Sequence, residues 1–318
     1  MITYIIIGAI SGVLLLLFFM TLLCFLLVFY SPKRKPLGTD EFEIPKGEIY
    51  EVYREDMINW IKEIRSMHRE DVSITSRDGL TLRGHYYEYS KDATVEILFH
   101  GYRGNSERDL SGAVHRCFAL GRSALIVDQR ASGISDGHVI TFGIKERLDC
   151  LDWISFAIDK FGKDVKIIIT GISMGAATVM MALNEELPDN VIGALADCGY
   201  TSPEEIIKKV LRDLHLPTWL FYPFIKLGAR LFGGFNLEEV SALDGVKNCK
   251  IPIIFIHGSA DDFVPCNMSR TLYDLCAAPN KKLVIVDGVG HGLAFPADRE
   301  GYYSALLEFD EECGAHSS

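Results

Sequence analysis

Val165-Lys166-Ile167-Ile168-Ile169-Thr170 runs as a β-branched strand straight into Gly171-Ile172-Ser173-Met174-Gly175, a Gly-x-Ser-x-Gly turn. Ala176-Ala177-Thr178-Val179-Met180-Met181-Ala182-Leu183 then reads as a buried helix that ends before Pro188. A serine on so tight a strand-to-helix turn sits on a strained backbone, and side chains two residues to either side would collide. Glycines at 171 and 175 remove that obstacle and leave the hydroxyl standing above the sheet. Ser173 is therefore the candidate nucleophile.

The neighbourhood of this turn repeats its alternation of strand and helix. Strands are expected at 94–99, 124–127, 165–170, 191–196, 251–256 and 282–286, with helices such as 110–120, 143–161 and 269–276 between them. Several of the strands are apolar throughout, as parallel strands covered on both faces are. Ahead of them, residues 72–75 and 80–87 alternate around Arg77-Asp78-Gly79, a hairpin signature. The interval from 198 to 249 is too long for one connection and is rich in bulky apolar residues, among them Trp219, Leu220, Phe221, Tyr222 and Phe224. Two or three short helices forming a cap over the active site fit it.

The first segment is of another kind. Met1 to Pro32 carries no charged side chain, and Ile5 to Tyr30 is almost wholly apolar, long enough to cross a bilayer as a helix, which takes about 20 residues. It lacks the basic start, short apolar core and small-residue cleavage site of a signal peptide. Pro32-Lys33-Arg34-Lys35-Pro36 follows it, so positive charge on the C-terminal side places the bulk of the chain in the cytoplasm. The expected organisation is an anchor at 1–32, a juxtamembrane linker and amphipathic helix at 33–71, and a catalytic domain at 72–318 with its cap at about 198–249.

Composition narrows the function classes. A formal charge of −11 on 318 residues argues against nucleic acid as a partner. Eight scattered cysteines, with no Cys-x-x-Cys pair, argue against a disulfide framework and against a zinc site.

A serine hydroxyl needs a base, and the base needs an acid to fix its tautomer. Gly288-Val289-Gly290-His291-Gly292, after the last strand, offers His291 as the base. Gly258-Ser259-Ala260-Asp261-Asp262-Phe263-Val264-Pro265 offers two carboxylates, of which Asp261 is preferred because it stands three residues before Val264-Pro265. Asp197, also just past a strand, is the outsider. The oxyanion needs two backbone N–H donors. Met174, at the helix N-terminus, is one candidate; Tyr102, just beyond His100-Gly101, is the other, its ring either lining the pocket or packing. No metal or organic cofactor is required by this set.

With Ser173, Asp261 and His291 in that order, and His100-Gly101 ahead of them, the chain resembles the α/β-hydrolase superfamily, in its esterase, lipase and serine-aminopeptidase-like branch. Asp128-Gln129-Arg130-Ala131-Ser132-Gly133-Ile134-Ser135 is similar to that branch's Asp-x-Arg-Gly-x-Gly-x-Ser loop, with Ala131 in place of the first glycine. The resemblance spans roughly residues 72–310. It implies an α/β fold with a mostly parallel eight-stranded sheet flanked by helices, and a lid inserted after the sixth strand. The function it implies is a serine hydrolase acting on carboxylic esters through an acyl-enzyme, with a small-molecule or lipid-like substrate. An aminopeptidase or amidase on the same fold is the alternative, for which Glu204, Glu205, Glu238 and Glu239 of the cap are candidate amine binders. A non-catalytic, membrane-tethered binding protein is the third reading.

Overall fold

The computed structural model describes residues 1–33 and 38–315. Arg34, Lys35, Pro36 and Leu37, which hold most of the basic cluster and the start of the expected linker, lie outside the described residues.

The chain opens with α1 (Ile2–Val28), α2 (Glu48–Glu51) and α3 (Arg54–Ser66). Strands β1 (Glu70–Thr75) and β2 (Thr81–Tyr87) form the antiparallel hairpin, closed by Ser76 and Gly79, the latter at φ +85°. Then follow β3 (Val95–Phe99), α4 (Ser106–Ala119), β4 (Ser123–Asp128), α5 (Glu146–Phe161), β5 (Ile167–Ile172), α6 (Met174–Ala182) and β6 (Val191–Asp197). The remainder is α7 (Pro203–Asp213), α8 (Thr218–Leu231), α9 (Ala242–Lys247), β7 (Ile253–Gly258), α10 (Asn267–Leu275), β8 (Lys281–Val286), α11 (Ala294–Ala297) and α12 (Arg299–Cys313). The sheet has eight strands in the order β1-β2-β4-β3-β5-β6-β7-β8, and every pair from β4 to β8 is parallel. This is an α/β-hydrolase fold.

Where helix starts depart from the expected positions, the local chemistry accounts for them. Helix α4 begins at Ser106 rather than 110 because Asn105 caps it, accepting from the Arg108 N–H at 2.8 Å. Helix α5 begins at Glu146 rather than 143 because Phe142 and Gly143 are left-handed, at φ +57° and +95°. Ala131 adopts φ +59°, so this loop keeps a glycine-type conformation without the glycine.

Alternate residues of the central strands feed opposite layers. Ile97 and Phe99 of β3 pack with Trp153 and Ile154, whereas Leu98 packs with Leu110 and Val114. One charged side chain is buried in the middle of β3. Glu96 has no exposed surface and is gripped by Arg116 and Arg122, with Thr170 Oγ1 donating at 2.8 Å. Burial alone would raise its pKa, but the two guanidiniums and Thr170 hold it down at about 2. Because the folded-state value lies below the ordinary value of about 4.3, the stability this group contributes is present above pH ~4.3 and lost as pH falls towards 2. Glu96→Gln takes the carboxylate from buried Arg116 and leaves buried Arg122 with Asp310 alone, and is expected to cost about 3–5 kcal/mol. Urea denaturation at pH 7 and pH 3 checks both points: the gap between wild type and variant should shrink at pH 3.

Helix α1 is the one candidate membrane span among the described residues. Ile2 to Phe19 is exposed throughout, a length of roughly 27 Å at 1.5 Å per residue, close to the ~30 Å hydrocarbon core of a bilayer. Its last turns are buried at Thr21, Cys24 and Phe25, followed by Phe29. They dock on α8, where Gly228 permits close approach: a Cβ there would stand 3.0 Å from Phe25 Cβ and 3.1 Å from the Thr21 carbonyl. Phe232 adds edge and tilted contacts to Phe18 and Phe25 at 5.7 and 5.5 Å. The interval expected to roof the active site thus supplies α7, α8 and α9, with α8 alongside α1, and no residue of 198–249 lines the cavity at Ser173.

Candidate active site

Ser173 sits between β5 and α6 at φ +57° and ψ −115°, a strained conformation for a residue with a Cβ. The flanking glycines are obligatory. A Cβ at Gly171 would fall 2.1 Å from the carbonyl of Gly175, and one at Gly175 would fall 2.0 Å from the Phe99 carbonyl oxygen. The backbone of β3 therefore presses directly on the elbow.

The three residues picked from sequence converge. His291 Nε2 lies 2.9 Å from Ser173 Oγ, and His291 Nδ1 lies 2.6 Å from Asp261 Oδ2. A carboxylate oxygen only accepts, so Nδ1 carries the proton and Nε2 is free to accept from the serine. Asp261 Oδ1 takes the N–H groups of Phe263 and Val264 at 2.9 and 2.8 Å, which fixes the carboxylate plane. Asp262 is exposed and stands outside this chain of bonds. Asp197 lines the same cavity, but its carboxylate accepts from Tyr302 Oη at 3.0 Å and His291 bonds to Asp261 instead.

His257, which the sequence reading passed over, completes the arrangement. It is fully buried at the end of β7, with Nε2 3.1 Å from Asp261 Oδ2 and 2.8 Å from the Val264 carbonyl. Both neighbours accept, so Nε2 bears the proton and Nδ1 accepts from Ser269 Oγ at 2.6 Å. Burial pushes the Asp261 carboxyl up, but the hydrogen bonds from His257 and His291 outweigh it and hold the pKa well below the usual range. Its only sequence trace was a histidine in the apolar run Ile253-Ile254-Phe255-Ile256, ahead of Gly258.

Met174 opens α6, where the first amides have no intrahelical partner. Tyr102 follows the His100-Gly101 pair, and that loop is tightly organised. His100 Nε2 accepts from the Gln129 N–H at 3.0 Å, while the Gly101 N–H donates to Asp109 Oδ2 at 3.1 Å. The Tyr102 ring packs on Phe142 at 5.0 Å.

Beside Ser173 opens a cavity of about 570 Å³. Its walls are mostly apolar: Ile49, Met57, Trp60, Leu98, Leu110, Ile172, Leu195 and Phe295. They come from the sheet, from α3, α4 and α11, and from residues 45–50, so the segment before the sheet supplies much of the roof that was expected of 198–249. Trp60 and Phe295 pack with tilted rings, centroids 5.4 Å apart. None of Glu204, Glu205, Glu238 and Glu239 reaches the cavity; Glu204, Glu238 and Glu239 are paired with Lys208, Lys226 and Arg147. Among the described residues, the one cluster with metal-ligand atoms close together is Cys198, Asp261 and His291, within 4.8 Å. Two of its members are already committed to the chain of bonds from Ser173.

A family model, the prolyl oligopeptidase family, matches residues 142–316, more than half of the chain. The Bacillus subtilis protein YqkD is 28% identical over 244 residues, covering 76% of this chain and 79% of its own. Among solved structures, the Pyrococcus furiosus esterase Pf2001 superposes with a TM-score of 0.66 at 24% identity, over 89% of this chain and 97% of its own. The Pyrococcus horikoshii acylaminoacyl peptidase gives 0.59 at 20% identity, over 79% of this chain and 43% of its own.

Proposed function

The chain belongs to the prolyl oligopeptidase family, and from that premise we propose that it is a membrane-anchored serine hydrolase cleaving carboxylic esters with apolar acyl groups. One observation carries the reading: the continuous chain Ser173–His291–Asp261 opens on an apolar cavity. Ser173 Oγ attacks the ester carbonyl carbon as its proton passes to His291 Nε2, and the imidazolium that forms is steadied by Asp261. The charge gathering on the carbonyl oxygen is met by the N–H groups of Met174 and Tyr102. His291 then returns the proton to the departing alkoxide, leaving an acyl-Ser173 that water cleaves by the same steps. The set asks for no metal or cofactor. Residues 1–32 serve as the anchor, 33–71 as the juxtamembrane part and 72–318 as the hydrolase domain, on the cytoplasmic side of the membrane by the positive-inside rule.

An apolar cavity makes a quantitative demand. Each methylene buried is worth about 0.8 kcal/mol, roughly a fourfold gain. Across p-nitrophenyl esters of increasing acyl length, kcat/KM is expected to rise by about that factor per methylene until the cavity is filled. Trp60→Phe should move the optimum to longer chains. A flat or falling series in the wild type sinks the acyl-chain reading. The family name favours a second reading, hydrolysis of peptide or aminoacyl amides. Aminoacyl anilides turned over faster than every ester would establish it instead.

A further inference from the structure

The loop that bears Tyr102 is bonded to the end of the membrane helix. Tyr102 Oη donates to the Val28 carbonyl at 2.6 Å, and Arg103 Nη2 donates to the Leu27 and Tyr30 carbonyls at 2.9 and 3.0 Å. Leu27 and Val28 lie in the last turn of α1, where a helix leaves carbonyls without intrahelical partners. A guanidinium placed there also meets the negative end of the helix dipole. Arg103 holds this position from a left-handed backbone, φ +52°, with its guanidinium 5.1 Å above the Tyr102 ring.

The joint is backed by packing. Phe29, just past α1, is fully buried and lies edge-on to Phe142 and Phe235 at 5.7 and 5.3 Å, and Phe142 is the ring on which Tyr102 packs. The Ser31 N–H donates to the His138 carbonyl at 2.8 Å, and the Ile140 N–H to that of Phe29 at 2.9 Å. A flexible tether needs none of this. The 101–104 loop is held from the core side by Asp109 and from the other side by α1.

We propose that Arg103 and the Tyr102 hydroxyl are positioning residues that use the last turn of α1 as the scaffold for the oxyanion loop, so that the membrane helix is a working part of the catalytic site. The inference rests on the acyl-transfer reading, in which the Tyr102 N–H meets the oxyanion. Losing one oxyanion donor outright costs about 10²–10³ in kcat. Loosening the loop that aims it should cost less, about 10–100-fold.

The test uses the full chain in phosphatidylcholine nanodiscs with a p-nitrophenyl acyl ester. Arg103→Ala is expected to lower kcat by that factor with KM and melting temperature unchanged, and Tyr102→Phe to lower it several-fold. Arg103→Lys, which still offers donors to the two carbonyls, should recover most of the loss. Phe29→Ala, which unseats the end of α1, should also lower kcat, and its combination with Arg103→Ala should lose no more than the worse single variant. Wild-type kcat in both Arg103→Ala and Tyr102→Phe overturns the proposal. So does a kcat loss that merely tracks melting temperature across the set, or losses from Phe29→Ala and Arg103→Ala that multiply. Failure of the acyl-transfer reading itself shows earlier and separately, as a wild-type protein that neither turns over esters nor takes a fluorophosphonate on Ser173.

Discussion

Ser173→Ala is expected to lower kcat/KM for the preferred ester by about 10⁴–10⁶-fold, the scale on which loss of a serine nucleophile is felt. Residual turnover would come from the oxyanion donors and the cavity acting on water. The loss is chemical and not structural. The Ser173 hydroxyl bonds to His291, a side chain that retains its Asp261 partner without it. Alanine inherits the same strained φ as serine, so the elbow neither gains nor loses strain. Melting temperature should therefore stay within a few degrees of wild type, and ester hydrolysis beside a thermal melt on the same sample checks both halves.

Asp261→Asn is expected to cost about 10⁴-fold in kcat, by a route the hydrogen bonds spell out. Asp261 accepts from four donors: the N–H groups of Phe263 and Val264 on Oδ1, and His291 Nδ1 and His257 Nε2 around Oδ2. An asparagine has one accepting oxygen and one donating NH2. With its oxygen kept on the two backbone amides, its NH2 faces His291, which must then accept at Nδ1 and carry its proton on Nε2. A protonated Nε2 cannot take the proton of Ser173. Asp262→Asn, outside this set of bonds, should change kcat less than threefold. The carboxylate contributes to stability as well. Its folded-state pKa is depressed, so the contribution is present above the ordinary carboxylate range and lost as pH falls through its folded-state value. Steady-state kinetics on the two variants separates Asp261 from its neighbour.

Much of the site was legible because its parts are marked locally. A serine between Gly171 and Gly175 at a strand end declares an elbow, since the Phe99 carbonyl allows no Cβ at 175. Asp261 and His291 stood on loops after strands in the expected order, His291 between two glycines and Asp261 three residues past Gly258. The sheet was legible from apolar runs such as Ile167 to Ile169, buried on both faces. What stayed hidden depends on contacts between segments distant in sequence. Trp60 was readable as part of the apolar face of a helix, but nothing local says that the face closes a cavity against Phe295. The apolar richness of 198–249 suggested a roof; in the fold it serves α1 instead, through Gly228 and Phe232. His257 acts through a neighbour four residues on, inside a strand that looks purely structural.

The bonds from Tyr102 and Arg103 to the end of α1 change how truncated forms should behave. A domain cut after residue 32 would lose the carbonyls that Arg103 and Tyr102 hold, together with the Phe29 plug, and expose the faces of Ile225, Ala229 and Phe235 that now form one cluster with Cys24 and Phe25.

The most direct measurement is the mass of the intact chain after reaction with a fluorophosphonate, followed by peptide mapping of the adduct. The account predicts a single adduct on the peptide containing Ser173 in the wild type and none in Ser173→Ala. No adduct on the folded wild type, or equal labelling of the two proteins, would contradict it.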